Sequence, residues 1–306
     1  MTPAAADRGR GAAVPPEVLR QVRRIELRTR GLVNSTFTGE YHSVFKGMGM
    51  EFAEVREYQP GDEVRTIDWN VSARMRRLFV KRFVEERELT VLLVVDCSGS
   101  SRGGALAQDK QGMAAELAAV LALTATRNND RVGLLLHSDR TEHVVPPKKG
   151  RRHALRLVRD VLAARAQARG TDLAAACDYA ARLLPHRSIV FVVSDFVAPA
   201  FDTALTRLSR RHDVVAVVLD DPAERELPDI GVARLQDAET GELAEIDTGD
   251  PRVRARYADI IKVEREARQA LLRRLAVDEV IVPLETGYVD PLMRFFRTRE
   301  TRARRR

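Results

Sequence analysis

Short apolar runs alternate with amphipathic stretches along most of the chain. The apolar runs read as strands over 89–95, 132–137, 141–145, 188–194, 213–219 and 278–284. Between them, apolar residues recurring at three- and four-residue spacing predict helices over 107–126, 151–164, 173–184, 200–210 and 252–275. Strands that alternate with helices predict an α/β fold: a doubly wound, mainly parallel, Rossmann-like sheet with helices on both faces. The runs 132–137 and 141–145 are joined only by Ser138-Asp139-Arg140, which predicts a hairpin and one antiparallel edge strand. A second hairpin is expected between 230 and 247, turned at Glu239-Thr240-Gly241-Glu242.

The pattern changes ahead of residue 89. A helical stretch, Val18–Leu32, carries Val18, Leu19, Val22, Ile25 and Leu27 among arginines. Glycines follow at Gly39, Gly47 and Gly49, and then short strand-like pieces. The chain therefore divides into a disordered 1–14, an N-terminal region 15–88, an α/β domain 89–290 and a basic C-terminal tail 291–306. At 306 residues, 44% hydrophobic and 31% charged, there is material for one large core or two modest ones. Two cysteines, Cys97 and Cys177, make neither a disulfide framework nor a Cys-x-x-Cys pair, which points to a reducing compartment. No apolar stretch approaches the roughly 20 residues of a membrane span, and Met1–Pro16 lacks the apolar core of a signal peptide, so a cytoplasmic protein is expected. The net charge of +7 is concentrated in part at Arg294–Arg306, a run that fits a solvated end or a contact to nucleic acid or anionic lipid. No stacking motif or recognition helix accompanies it, so nucleic acid is not the expected partner.

Candidate chemistry centres on Asp96-Cys97-Ser98-Gly99-Ser100, directly after the first strand. A carboxylate and two hydroxyls emerge together where open α/β sheets hold their ligands, and such oxygens suit a hard cation. Read alone, the same residues also fit a turn and a helix cap. Two further segments add to them: Thr171, on a loop entering the helix 173–184, and Asp195, at the end of the strand 188–194. The order strand–Asp-x-Ser-x-Ser, loop–Thr, strand–Asp resembles the metal-ion-dependent adhesion site of von Willebrand factor A domains. That resemblance implies a von Willebrand A-like fold. It implies that Asp96, Ser98, Ser100, Thr171 and Asp195 surround one divalent cation, Mg²⁺ or alternatively Mn²⁺. A vestigial site that keeps the shape and binds no metal is the alternative. Cys97, at the alternate position, is expected to face the core.

A second signal lies upstream, in Arg56, Tyr58, Pro60, Gly61, Asp62, Arg65, Asp68 and Trp69. Pro60-Gly61 presets a tight turn, and the charges Arg56, Asp62, Arg65 and Asp68 are spaced to pair with one another. Trp69, the only tryptophan, is expected to anchor the turn to the body. The segment reads either as a structural clasp or as a partner-recognition surface. Its pattern, Arg-x-Tyr-x-Pro-Gly-Asp followed by Arg-x-Ile-Asp-Trp, resembles the bacterial family catalogued as domain of unknown function 58, over roughly residues 30 to 290. The resemblance implies a partner, a MoxR-type AAA+ ATPase, and a chaperone-like role in maturing or assembling a client protein.

Enzyme signatures are missing from the sequence: there is no phosphate-binding Gly-x-x-x-x-Gly-Lys loop, no Gly-x-Gly-x-x-Gly turn after a strand, no Gly-x-Ser-x-Gly elbow and no His-Glu-x-x-His pair. His137, at a strand end, reads as a histidine hydrogen-bonded to a loop or as a base. The expected function is a metal-dependent, non-enzymatic protein-binding adaptor. The alternatives are a metal-dependent phosphoester hydrolase and, through the arginine tail, a nucleic-acid-binding protein.

Overall fold

The structure is a computed structural model that describes residues 15–33, 37–45, 50–85, 88–99, 110–165, 170–236 and 242–304. The N-terminal residues expected to be disordered, together with Gly47, Gly49, Ser100 and the turn residues Glu239–Gly241, lie outside them.

Six strands form the central sheet: β3 (Thr90–Asp96), β4 (Arg131–His137), β5 (Thr141–Lys148), β6 (Ile189–Ser194), β7 (Asp213–Asp220) and β10 (Asp278–Pro283). Their order is β10-β7-β6-β3-β4-β5, parallel throughout except for β5, which pairs antiparallel with β4 at the edge. This is the von Willebrand A-like arrangement expected from the sequence. The composition of β3 explains its central place. Val91, Leu93 and Val95 face one core, while Leu92 and Val94 face the other, so both sides of the strand are apolar.

The first core lies under α4 (Lys110–Arg127) and α5 (Arg151–Leu162), the second under α6 (Leu173–Leu183) and α7 (Asp202–Arg211). The long α8 (Pro251–Arg274) buries only Leu272. Its start is set by Asp250, whose side chain accepts from Arg252 N at 2.8 Å, and by Pro251 in the first turn. Before α8, β8 (Val232–Gln236) and β9 (Leu243–Asp247) form the expected second hairpin.

The N-terminal region shares the first core. Helices α1 (Pro16–Leu32) and α2 (Thr38–Phe45) bury Val18, Val22, Ile25, Tyr41, Val44 and Phe45 in it, whereas Leu19 and Leu27, read as part of the apolar stripe, are exposed. The stripe runs 18, 22, 25, 29, closed by Thr29, whose hydroxyl bonds back to Ile25 O at 2.8 Å. A separate small unit follows: the antiparallel pair β1 (Met50–Glu57) and β2 (Phe79–Glu85), with α3 (Trp69–Met75) between them.

The residues read as a basic tail are a correction. Residues 289–304 form α9 (Val289–Arg304), and Leu292, Met293, Phe295 and Phe296 are buried in the first core. Phe296 meets Phe37, Tyr41 and Phe45 edge-on at centroid distances of 6.0, 6.3 and 6.4 Å. Arg294 and Arg297 are exposed, whereas Arg299 lies over the Phe45 and Phe295 rings, at 5.0 and 5.7 Å from their centroids, and pairs with Asp213 and Asp278.

Candidate metal centre

β3 and β6 are neighbours in the sheet but are joined to elements on opposite sides of it, so their C-terminal ends flank the point where the strand order reverses. Asp96 ends β3, and Ser194-Asp195 follows from β6. Asp96 is nearly buried and its two oxygens are held separately: Oδ1 accepts from Ser98 N at 2.9 Å, and Oδ2 from Ser194 Oγ at 2.9 Å. Ser194 Oγ in turn accepts from Phe196 N at 3.0 Å. The chain leaves β6 through Phe196 at φ 59°, a left-handed conformation held by packing of its buried ring against Phe201 at 5.9 Å. That turn lets Asp195 Oδ1 accept from Val197 N at 3.1 Å.

Ser98 is fully buried beside Asp96. Thr171 reaches the same edge on the loop before α6, which Asp172 ties down twice: its N–H donates to Ser138 O at 2.8 Å, and its carboxylate caps the helix by accepting from Ala175 N at 2.8 Å. Cys97 faces inward as expected, with Sγ 3.1 Å from His137 O. His137 itself differs from the expectation of a loop-bonded histidine. It ends the interior strand β4 opposite Asp96, is buried, and among the described residues neither ring nitrogen meets a partner at hydrogen-bond geometry. Burial pushes its pKa down, against the pull of the Asp96, Asp172 and Asp195 carboxylates.

Asp96, Ser98, Thr171 and Asp195 thus converge on one sheet edge, while Ser100 lies outside the described residues. Among the described residues no group of three or more His, Cys, Asp and Glu has metal-holding geometry. The donors here are instead two carboxylates and hydroxyls, an all-oxygen set that fits a hard cation.

The sequence reading missed one cation already at the site. Lys110, in the first turn of α4, is buried, and its Nζ lies 2.9 Å from Asp195 Oδ2 and 2.6 Å from Glu224 Oε1. Burial opposes its charge, but the two carboxylates outweigh it and hold the pKa above the ordinary lysine value. Glu224 ends the 3₁₀ turn Pro222–Glu224 after β7. Its carboxyl is pushed up by burial, with Lys110 pulling the other way. Asp195 and Glu224 also line a cavity of about 720 Å³ between the β6 and β7 ends and α8, together with Phe196, Arg225, Arg265 and Arg268. Lysine is scarce in this arginine-rich chain, and that scarcity was the one hint the sequence offered.

In the upstream motif, the turn forms as expected. Asp62 N donates to Gln59 O at 3.0 Å across Pro60-Gly61, and Gly61 takes φ +109°, where a side chain would be strained. Arg56 clamps Asp62 with two bonds, Nη1–Oδ2 at 2.8 Å and Nη2–Oδ1 at 2.6 Å, and the guanidinium holds this carboxyl below its usual range. The four-charge pairing is not complete. Arg65 is exposed, and Asp68 instead caps α3, accepting from Asn70 N and Val71 N, and lies 3.6 Å from Lys81 Nζ. Tyr58 N donates to Leu78 O at 2.8 Å, tying the end of β1 to the start of β2. Trp69 does not anchor the turn: it is 64% exposed, as Val64 is at 63% and Met75 at 60%. Among the described side chains of this unit, Ile67 and Val80 are the buried apolar ones.

A family model described as "Protein of unknown function DUF58" matches residues 54–267. The uncharacterized protein Rv1480 of Mycobacterium tuberculosis is 31% identical over 294 residues, covering 95% of this chain and 92% of its own length. The uncharacterized protein MAV169 of Mycobacterium avium is 31% identical over 159 residues, 51% of this chain and 93% of its own. Among solved structures, an aerotolerance-related membrane protein from Bacteroides fragilis aligns at TM-score 0.45 and 15% identity, over 70% of this chain and 99% of that one. The conserved hypothetical protein BatB from Bacteroides thetaiotaomicron aligns at TM-score 0.40 and 16% identity, over 61% and 98%. Among the described residues, no helix is long and apolar enough to cross a membrane.

Proposed function

The chain belongs to the DUF58 family, and on that premise we propose that it is a metal-dependent protein-binding adaptor rather than an enzyme. The observation that carries the reading is the convergence of Asp96 and Asp195 at the strand-order reversal, with Ser194 fixing one oxygen of Asp96. A divalent cation, Mg²⁺ or Mn²⁺, would supply a concentrated positive charge able to accept a partner's carboxylate. Asp96, Ser98, Thr171 and Asp195 would hold it, with Ser100 as the fifth donor by its place in the motif. Ser98 N and Ser194 Oγ keep the Asp96 carboxylate in one orientation, so little ordering is left to be done on binding.

The partner in this reading is a MoxR-type AAA+ ATPase, which acts with the adaptor on a client protein. The resemblance of the 56–69 motif supports that assignment. So does the form of the unit that carries the motif: a rigid, charge-clamped turn presenting Val64, Trp69 and Met75 to solvent. A stable interface centres on such apolar and aromatic anchors within a polar rim. The reading places the protein in the cytoplasm, in keeping with a chain whose two cysteines, Cys97 and Cys177, are both buried.

Affinity capture from native lysate, with Mg²⁺ and with EDTA, tests it. Tagged wild type is expected to retain an AAA+ ATPase with metal, and Asp96→Ala to lose it while keeping its far-UV circular dichroism. Capture by Asp96→Ala at the wild-type level, or no ATPase in either buffer, would overturn the reading.

A further inference from the structure

We infer that Lys110 is a resident counter-cation that competes with the divalent ion for Asp195, with Glu224 as the alternative partner to which its ammonium withdraws. The inference rests on the metal reading above and concerns how that site is regulated. Lysine is almost never fully buried unless paired, and the Lys110 side chain is 2% exposed. It spans the two carboxylates at 2.9 and 2.6 Å. On Asp195, Oδ1 already accepts from Val197 N, so Oδ2 is the oxygen most open to a cation, and that is the one Lys110 holds. A metal ion drawing on Asp195 therefore meets a positive charge on the same oxygen.

The ammonium has somewhere to go. Glu224 is 48% exposed, sits on a short turn rather than in the sheet, and is the nearer of its two partners. Lys110 can leave Asp195 without becoming an unpaired buried charge, which would be strongly destabilising. The consequence is a coupling. Filling the metal site shifts Lys110 toward Glu224, and so loads the turn that walls the neighbouring cavity. Anything that draws Glu224 away sends Lys110 back onto Asp195 and weakens metal binding, as reciprocity requires.

Isothermal titration of the full chain with MgCl₂ and with MnCl₂ tests this in wild type, Lys110→Met, Glu224→Gln, the double variant and Asp96→Ala. A divalent ion and an ammonium about 6 Å apart, even in a medium as polar as water, repel by roughly the equivalent of a tenfold change in affinity. Lys110→Met is therefore expected to bind metal about tenfold more tightly, or more so. Glu224→Gln is expected to bind it more weakly, and by about tenfold more in the wild-type background than in Lys110→Met, because Glu224 acts through Lys110. Equal affinity in wild type and Lys110→Met, with Asp96→Ala abolishing binding, would overturn the competition and leave the metal site standing. Additive effects of the two substitutions would overturn the role given to Glu224. No binding by any variant would overturn the metal reading and this inference together. Should Lys110→Met fail to fold, Glu224→Gln alone decides: a wild-type affinity in that variant overturns the inference.

Discussion

Asp130 joins three parts of the molecule, and its ionisation should be visible in stability. It is 2% exposed, in the turn between α4 and β4. Its Oδ2 accepts from Tyr41 Oη of α2 at 3.0 Å, and its Oδ1 from Leu89 N, at the entry to β3, at 2.9 Å. Burial pushes the carboxyl up to about 6, against the pull of those two hydrogen bonds. The folded-state pKa lies above the unfolded one, so the neutral acid is favoured by folding. Its contribution is fully present below the unfolded value of 3.8 and is lost as pH rises through about 6. The full shift corresponds to about 3 kcal/mol, of which about 1–2 kcal/mol falls between about pH 4.5 and 7.5. Asp130→Asn removes the titration and keeps the contacts: its Oδ1 accepts from Leu89 N while its Nδ2 donates to the Tyr41 oxygen. Urea unfolding of both proteins, followed by circular dichroism between about pH 4.5 and 7.5, reads the difference. Other titrating groups cancel in it. The stability of the variant relative to wild type should climb by about 1–2 kcal/mol across that range. A flat difference would refute the reasoning, because it would mean that Asp130 ionises as freely in the folded protein as in the unfolded chain.

Two further outcomes follow from the same packing. Phe296→Ala removes the ring that meets Phe37, Tyr41 and Phe45, and should cost about 3–5 kcal/mol in urea unfolding; a loss below about 1 kcal/mol would mean that α9 does not share the core. His212 is buried at the end of α7, where burial and then Arg211 and Arg187 push its pKa down to about 4. The unfolded chain then binds more protons between about pH 4 and 6.5, so stability rises with pH there; His212→Leu should gain on wild type as pH falls through that window, with the advantage gone above about pH 7.

The sheet was legible because its strands are buried on both faces. A run such as Thr90–Asp96 has no other stable place, and one hairpin with a three-residue connection fixed the antiparallel edge. The strand order followed from the resemblance to von Willebrand A domains more than from any property of single strands. Helix α9 was missed although Val289, Leu292, Met293 and Phe296 fall at helical spacing. Its arginines give the segment the look of a solvated end, yet a helix needs only one apolar stripe to be held; here Arg294 and Arg297 stay exposed, and Arg299 is taken in by stacking on Phe45 and Phe295. Trp69 failed for the converse reason. A large aromatic is a good anchor only where there is an interior to receive it, and at the start of α3 Trp69 faces solvent while Ile67 and Val80 are the buried apolar residues beside it.

Asp96 and Asp195 could be placed at one sheet edge from their positions at strand ends, since topology brings such ends together, whereas Thr171 came from the resemblance. Lys110 could not be. It lies in a helix, fourteen positions after Asp96, and its partners Asp195 and Glu224 are 85 and 114 positions further on. Nothing in local sequence distinguishes it from a solvated lysine. What distinguishes it is electrostatic necessity. Two carboxylates from adjacent strand ends, close to the low-dielectric interior, repel one another and need a cation whenever no metal is bound. A site of this kind therefore cannot be neutral about what fills it. It either keeps protonated carboxyls, a standing destabilisation, or a mobile positive charge of its own. The second solution leaves the protein folded in both states and makes the difference between them a movement of one ammonium over a short distance. In the proposed metal-dependent adaptor, that movement would carry a signal from the sheet edge by a side chain that was already there.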